Sequence, residues 1–284
     1  MSSKKSYLGT YIWFGYMLPF EERLRLIKDA GFDSICSWWG DDFAFMDGEK
    51  EKHVKLSADY GLKIEHAHLP YAGSDALWRE FLFGHELFEI HKREIINASR
   101  CGLDTLIIHP YENVKILQTG NYGIFLNYMH KLAEIAFYSK IQLAFENLEE
   151  YELLDKLMQE FSDNSAIGFC FDSGHAHIAN PGNYSLLEKY PEKLFALHLH
   201  DNDGVRDQHL LPGKGTIDWQ NFICSLQATN FTGSLMLEAG YPFDNTEEDG
   251  NDAYQEPPIL PEKFLKAAIE ACVKLAGYTR VSKR

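Results

Sequence analysis

Eight times along this chain a short strand-like run gives way to an amphipathic helical stretch, and this alternation limits the folds open to it more than any other feature. The strand-like runs are residues 7–14, 33–38, 63–68, 105–109, 142–146, 167–172, 195–200 and 234–238. Helical patterns follow at 19–30, 51–60, 77–100, 122–139, 151–161, 184–190, 217–229 and 262–276. Pro19 stands near the first turn of one helix, and Gly31, Gly61 and Gly102 stand just past the ends of others, as helix start and stop signals require. Eight strands each followed by a helix predict an α/β fold with a closed parallel sheet, a single (β/α)8 barrel spanning 1–284. The strands are apolar throughout, as parallel strands covered on both faces should be. No linker divides the chain. Residues 244–258 are acidic and rich in breakers, and read as a long loop after the eighth strand, a lid over any site there.

Composition narrows the function. The 45% hydrophobic and 14% aromatic content suffices for a large core. No apolar run approaches the roughly 18 residues of a membrane span, and the polar start lacks the apolar core of a secretory signal, so the reading is a cytoplasmic protein without a membrane partner. Cys36, Cys101, Cys170, Cys224 and Cys272 are odd in number and widely spaced, which fits reduced structural thiols. A net charge of −15 argues against a nucleic-acid partner, although a local cationic patch or bound metal still leaves a way to receive phosphate.

Barrels of this type carry their chemistry at the C-terminal ends of the strands. Strands three to eight end in His68, His109, Glu146, Asp172, His200 and Glu238. Asp and Glu number 42 and His 12 in 284 residues, so about one residue in five is a ligand type. If each strand end offers two or three candidate positions, six hits in six strand ends have on the order of a 1% chance. Polar residues there also cap helices and form ion pairs, but carboxylates that follow apolar strands at a barrel mouth are costly to bury without a cation. His66 and His198 precede His68 and His200 by two residues and share their strand faces, one layer deeper, where core packing or support of the ligands is the expected role. His175 follows Asp172 as the strand turns into its loop, and Arg206, Asp207 and His209 follow strand seven, before a PGKGTIDW segment. His177 and Asp201 are read as hydrogen-bonding or surface groups. Trp13, Phe14, Trp38 and Trp39 end the first two strands and serve either as packing or as an apolar wall of the kind sugar C–H faces use.

The run ENL at Glu146, DSGH at 172–175, HLHDND at 198–203, the PGKGTIDW segment and LE at Glu238 resemble the xylose-isomerase-like TIM barrel superfamily, along nearly the whole chain. That superfamily includes sugar isomerases and epimerases, inosose dehydratases and endonuclease IV. Resemblance to its ketose 3-epimerase branch implies one divalent ion, Zn2+ or Mn2+, on Glu146, Asp172, His200 and Glu238. The two glutamates would move the proton through a metal-stabilised enediolate, and His175 and Arg206 would bind substrate oxygens. Resemblance to endonuclease IV implies up to three ions, with His68, His109, His175, Asp207 and His209 as further ligands. The acidic charge, a short segment after strand seven, GKG in place of GEG, and the DSGH and HDNDG wording put a sugar or sugar-phosphate isomerase or epimerase first. A multinuclear zinc phosphodiesterase comes second and a polyol or inosose dehydratase third. A non-catalytic barrel that keeps a metal comes last, because the ligand set is intact. A homo-oligomer stays open.

Overall fold

The computed structural model describes residues 7–80, 82–241 and 258–281. Its strands are β1 Leu8–Tyr11, β2 Ser34–Trp38, β3 Lys63–His68, β4 Thr105–Ile108, β5 Gln142–Glu146, β6 Ile167–Asp172, β7 Leu194–His198 and β8 Leu235–Leu237. They form one sheet, ordered β7-β6-β5-β4-β3-β2-β1-β8, with parallel neighbours throughout. The remaining gap closes just past β7. Leu199 pairs with Leu237, its N–H donates to the Met236 carbonyl at 2.9 Å, and the Glu238 N–H donates to the Leu199 carbonyl at 3.0 Å. The product is the expected (β/α)8 TIM barrel.

Every expected strand is present, though several stop early. β1 ends at Tyr11, and the chain then leaves the sheet at Gly15, where φ is +97° and an added Cβ would lie 2.6 Å from the Tyr241 nitrogen. β4, β7 and β8 end shortly before His109, His200 and Glu238, so these residues stand on the first loop positions at the mouth. The pattern expected as one helix over 77–100 divides into a 3-10 turn, Ser74–Trp78, and a helix, Leu82–Cys101. A helix that the sequence did not announce, Ser173–Ala179, begins directly at the end of β6. Asp172 caps it by accepting from the His175 N–H at 2.7 Å, and this cap makes a helix of a short stretch containing glycine and two histidines. The expected loop at 244–258 lies outside the described residues, apart from Pro258.

Period-two alternation sorts the strand residues into two sets. One set packs outward against the helices, as Phe145 does on Phe161 and Phe171 on Phe222, with ring centroids 6.1 and 5.7 Å apart. Phe14 and Trp39 are fully buried in the main apolar core, so for them the packing reading holds. The other set points into the barrel. There Ile107, Ala144, Cys170 and Ala196 form a small buried cluster. Three of those side chains are small, and nearby the imidazoles of His66 and His198 lie 5.3 Å apart.

The aromatic wall near β1 rests on a buried cation. Arg23, on the helix Phe20–Ala30, is fully buried. Its guanidinium lies 3.8 Å from the Trp13 ring centroid and pairs with Asp47. Burial pulls its pKa down to about 10 against the opposing pull of Asp47. Arg23→Ala leaves the Asp47 carboxylate without its partner and should cost about 3–5 kcal/mol. In thermal unfolding this is a drop in Tm on the order of 10 °C. A variant that melts with the wild type would show that the pair does not anchor this wall.

Candidate active site

The inward ends of β3 to β8, the helix Ser173–Ala179 and the loop after β7 place nine side chains around the barrel mouth, and main-chain carbonyls orient three of the imidazoles among them. His68 Nδ1 donates to the Leu69 carbonyl at 2.6 Å, His175 Nδ1 to the Asn147 carbonyl at 3.0 Å, and His209 Nδ1 to the Glu238 carbonyl at 2.8 Å. Each bond fixes the tautomer and turns Nε2 toward a carboxylate. His68 Nε2 lies 3.2 Å from Glu146 Oε2, and His109 Nε2 lies 3.3 Å from the same oxygen. His175 Nε2 and His209 Nε2 lie 3.4 and 3.1 Å from Asp207 Oδ2. His200 Nε2 lies 3.0 Å from Asp172 Oδ2, and its ring stacks on His209 at 4.0 Å. His209 holds a left-handed backbone, φ 45°, a strained state often found where a site demands it.

These contacts test whether a cation fits. With Nδ1–H given to a carbonyl, a neutral imidazole offers only a lone pair at Nε2, and that lone pair faces carboxylate oxygens. Two acceptors at hydrogen-bond distance repel unless a proton or a metal ion stands between them. Glu146, Asp172, Asp207 and Glu238 have no lysine or arginine partner among the described residues. In the ion-free protein protons fill that role at His175 and His209. Burial opposes this, yet Asp172 and Asp207 hold the His175 pKa well above its ordinary value, and Asp207 raises that of His209 to about 9. A divalent ion replaces such protons. Donor atoms of His68, His109 and Glu146, of Asp172, His175 and His200, and of His200, His209 and Glu238 each lie within 4.8 Å of one another. Metal-bound histidines commonly donate their second nitrogen to a carbonyl, as three of these do. The residues fit a metal.

Neighbouring residues lock the strand ends together. Asn147 donates from Nδ2 to the Asp172 carbonyl and accepts from the Asp172 N–H, both at 2.8 Å. The Ser173 hydroxyl donates to the His200 carbonyl at 2.8 Å and accepts from the His200 N–H at 3.0 Å. Gly174 is required by the His200 ring, since an added Cβ would lie 1.9 Å from its Cε1. Sequence reasoning quoted Asn147, Ser173 and Gly174 within motifs without giving them a task. His198 goes further than expected for a deeper layer. Its Nδ1 lies 3.3 Å from Glu146 Oε2 and 3.1 Å from Glu238 Oε2, at ion-pair distance though without hydrogen-bond alignment. The HLH spacing was its signal. His66 is buried beside it with both ring nitrogens unpartnered.

Above this cluster opens a cavity of about 1320 Å³ that Trp13, Trp38, Phe43, Tyr71 and Tyr241 help to wall. Trp38 stacks at 16° on His68, with centroids 5.7 Å apart. Arg206 lines the rim and donates from Nε and Nη2 to Asp203 Oδ2 at 3.0 and 2.8 Å. His177 and Asp201 stay outside the site. His177 Nε2 meets the Thr216 hydroxyl at 2.8 Å. Buried Asp201 accepts from the Trp219 indole and from the Gly213 and Ile217 N–H groups, knotting the PGKGTIDW segment.

A family model described as xylose isomerase-like TIM barrel matches residues 24–257. An uncharacterised protein of Sinorhizobium fredii, y4fM, is 29% identical over 82% of this chain and 84% of its own length. A 3-dehydroshikimate dehydratase of Pseudomonas aeruginosa is 24% identical over 85% of this chain, which spans 40% of that enzyme's length. Among solved structures, D-psicose 3-epimerase from Clostridium cellulolyticum H10 superposes with a TM-score of 0.75 at 13% identity, covering 95% of this chain and 99% of that one.

Two outcomes follow from this geometry. Gly174→Ala displaces His200 and should lower affinity for Zn2+ or Mn2+ about 10- to 100-fold in a titration of the metal-free protein. Unchanged affinity would remove His200 from the donor set. The second outcome concerns pH. The His209 pKa rises on folding from about 6.5 to about 9, so its stabilising contribution is complete below 6.5 and is lost as pH climbs through 9. The Tm of metal-free protein should therefore fall over that window. Metal competes with the same protons, so the rise in Tm on adding ion should grow across it. A metal-free Tm that holds steady from pH 6.5 to 9 would contradict the proton-filled cluster.

Proposed function

The chain belongs to the xylose isomerase-like TIM barrel family, and from that premise we propose that it is a divalent-metal-dependent isomerase or epimerase of a small sugar. The observation that carries the reading is the placement of two carboxylates on one imidazole. Glu146 Oε2 and Glu238 Oε2 each lie within 3.3 Å of His198 Nδ1, a few ångströms apart, beneath a cavity large enough for a sugar. In this reading one glutamate removes the proton beside the substrate carbonyl and the other returns a proton from the opposite face. His198 positions both. Glu146, Asp172, His200 and Glu238 would hold the ion, and His68, His109, His175, Asp207 and His209 could supply further ligands. The ion, when bound, supplies Lewis-acid polarisation of the substrate oxygens and charge for the enediolate. His175 and Arg206 present donors to substrate hydroxyls, and the indoles of Trp13 and Trp38 offer their faces to sugar C–H groups.

A second reading has its own support. The likeness to a dehydratase allows the same first proton removal to be followed by loss of a neighbouring hydroxyl instead of reprotonation. Both readings start with a carbon acid, so one experiment tests them together. Protein loaded with Mn2+ or Zn2+ and incubated in deuterated water with a panel of ketoses and cyclic polyol ketones should place deuterium at the carbon beside the carbonyl. In Glu146→Gln and Glu238→Gln the exchange should fall by about a hundredfold to ten-thousandfold, the usual loss on removing a general acid or base. Sugar products then support the epimerase reading, and loss of water supports the dehydratase. No incorporation from any member of the panel sinks both, and cleavage of abasic-site duplex DNA that chelation stops would replace them with hydrolysis.

A further inference from the structure

We infer that this mouth selects an uncharged, polyhydroxylated substrate and turns away phosphorylated or carboxylated ones, with Glu112 and Glu149 as the determinants on its outer wall. The inference deepens the sugar reading and rests on it for the identity of the cavity as the substrate site. It starts from a charge imbalance. Five carboxylates line the cavity, those of Glu112, Glu146, Glu149, Asp207 and Glu238, and Asp172 stands behind them. Among the described residues the cavity has one lining cation of the lysine or arginine type, Arg206. Its Nε and Nη2 are already committed to Asp203, which leaves little charge for an incoming anion.

A bound metal does not reverse this balance at low occupancy. The imidazoles at the mouth, with the protons or ion they share, answer the four inner acids. Of the six acids, Glu146, Asp172, Asp207 and Glu238 each face an imidazole, and the two that face none among the described residues are Glu112 and Glu149. The Gly73 N–H donates to Glu112 Oε2 at 2.7 Å and holds that carboxylate at the cavity wall. Glu149 follows β5 on the same side, next to Leu148, which also lines the cavity. A phosphate ester would need the opposite equipment, a bidentate arginine or a cluster of lysines. The walls that are present, aromatic rings alternating with hydrogen-bonding groups, match the C–H faces and hydroxyls of a neutral sugar.

The test measures binding, so that it stands apart from turnover. Full-length protein carrying one equivalent of Mn2+ is titrated calorimetrically with D-fructose, with D-fructose 6-phosphate and with inorganic phosphate, at low and high salt. The expected result is an ester at least about tenfold weaker than the free sugar at low salt, because repulsion between fixed charges near a surface is worth roughly that much before screening. The difference should shrink at high salt and in the double variant Glu112→Gln/Glu149→Gln. Inorganic phosphate should bind wild type feebly and Glu149→Lys distinctly better. Tighter binding of the ester than of the free sugar to wild type, or an unchanged gap in the double variant, overturns the inference. If neither sugar binds, the phosphate arm decides: a gain in Glu149→Lys supports the exclusion, and phosphate binding equally well to wild type refutes it. Failure of the sugar reading itself shows elsewhere, as absent deuterium uptake.

Discussion

Everything at this mouth depends on one constraint, the facing of imidazole Nε2 lone pairs and carboxylate oxygens. Main-chain carbonyls at Leu69, Asn147 and Glu238 consume the Nδ1–H of His68, His175 and His209. Those carbonyls belong to residues at or just beyond strand ends, so the barrel backbone dictates which nitrogen is left over. The left-over nitrogens converge on Glu146 and Asp207. Such a cluster is repulsive by itself and becomes favourable only with protons or a cation inside it. The fold therefore stores an electrostatic demand at the mouth, and supporting residues such as Asn147 and Ser173 keep the demand from relaxing.

Closure of the barrel sets the chemistry's geometry. The β7–β8 seam closes through Leu199, which faces Leu237, and the residues on either side of it, His198 and His200, turn to the other face. His200 joins Asp172 at the rim, while His198 reaches under both glutamates. One bridge in the backbone thus decides which imidazole meets Asp172 at the rim and which lies against the two glutamates. A register slip of one residue at this seam would exchange Leu199 for the histidines and empty the site.

The parts of the site that the sequence made legible are those governed by local periodicity. Asp172, Glu146 and Glu238 follow apolar strands, and period-two spacing placed His68 and His200 at the mouth with His66 and His198 beneath. The strand-to-helix rhythm gave the barrel for the same reason. What stayed hidden depends on partners far along the chain. The His198 contact with Glu146 crosses 52 positions and joins two strands that are not neighbours in the sheet. The requirement for glycine at 174 comes from the His200 ring, which no local pattern records. The helix Ser173–Ala179 escaped because its stability comes from the Asp172 cap and tertiary packing rather than from propensity. Tautomers are not written in sequence at all.

Glu146 shows why metal occupancy and reaction type are linked. Its Oε2 lies within 3.3 Å of nitrogens on His68, His109 and His198. In the proposed reading that oxygen would take a proton from carbon, while Glu146, Asp172, His200 and Glu238 together would hold a single ion. His68 and His109 could also join Glu146 in holding a further ion, and a carboxylate engaged by cations is a weaker base. Ions held there would supply activation of water in place of proton movement between two carboxylates. Proton transfer and hydrolysis are thus competing uses of one oxygen. The choice between them lies in how strongly His68 and His109 would hold an ion beside Glu146.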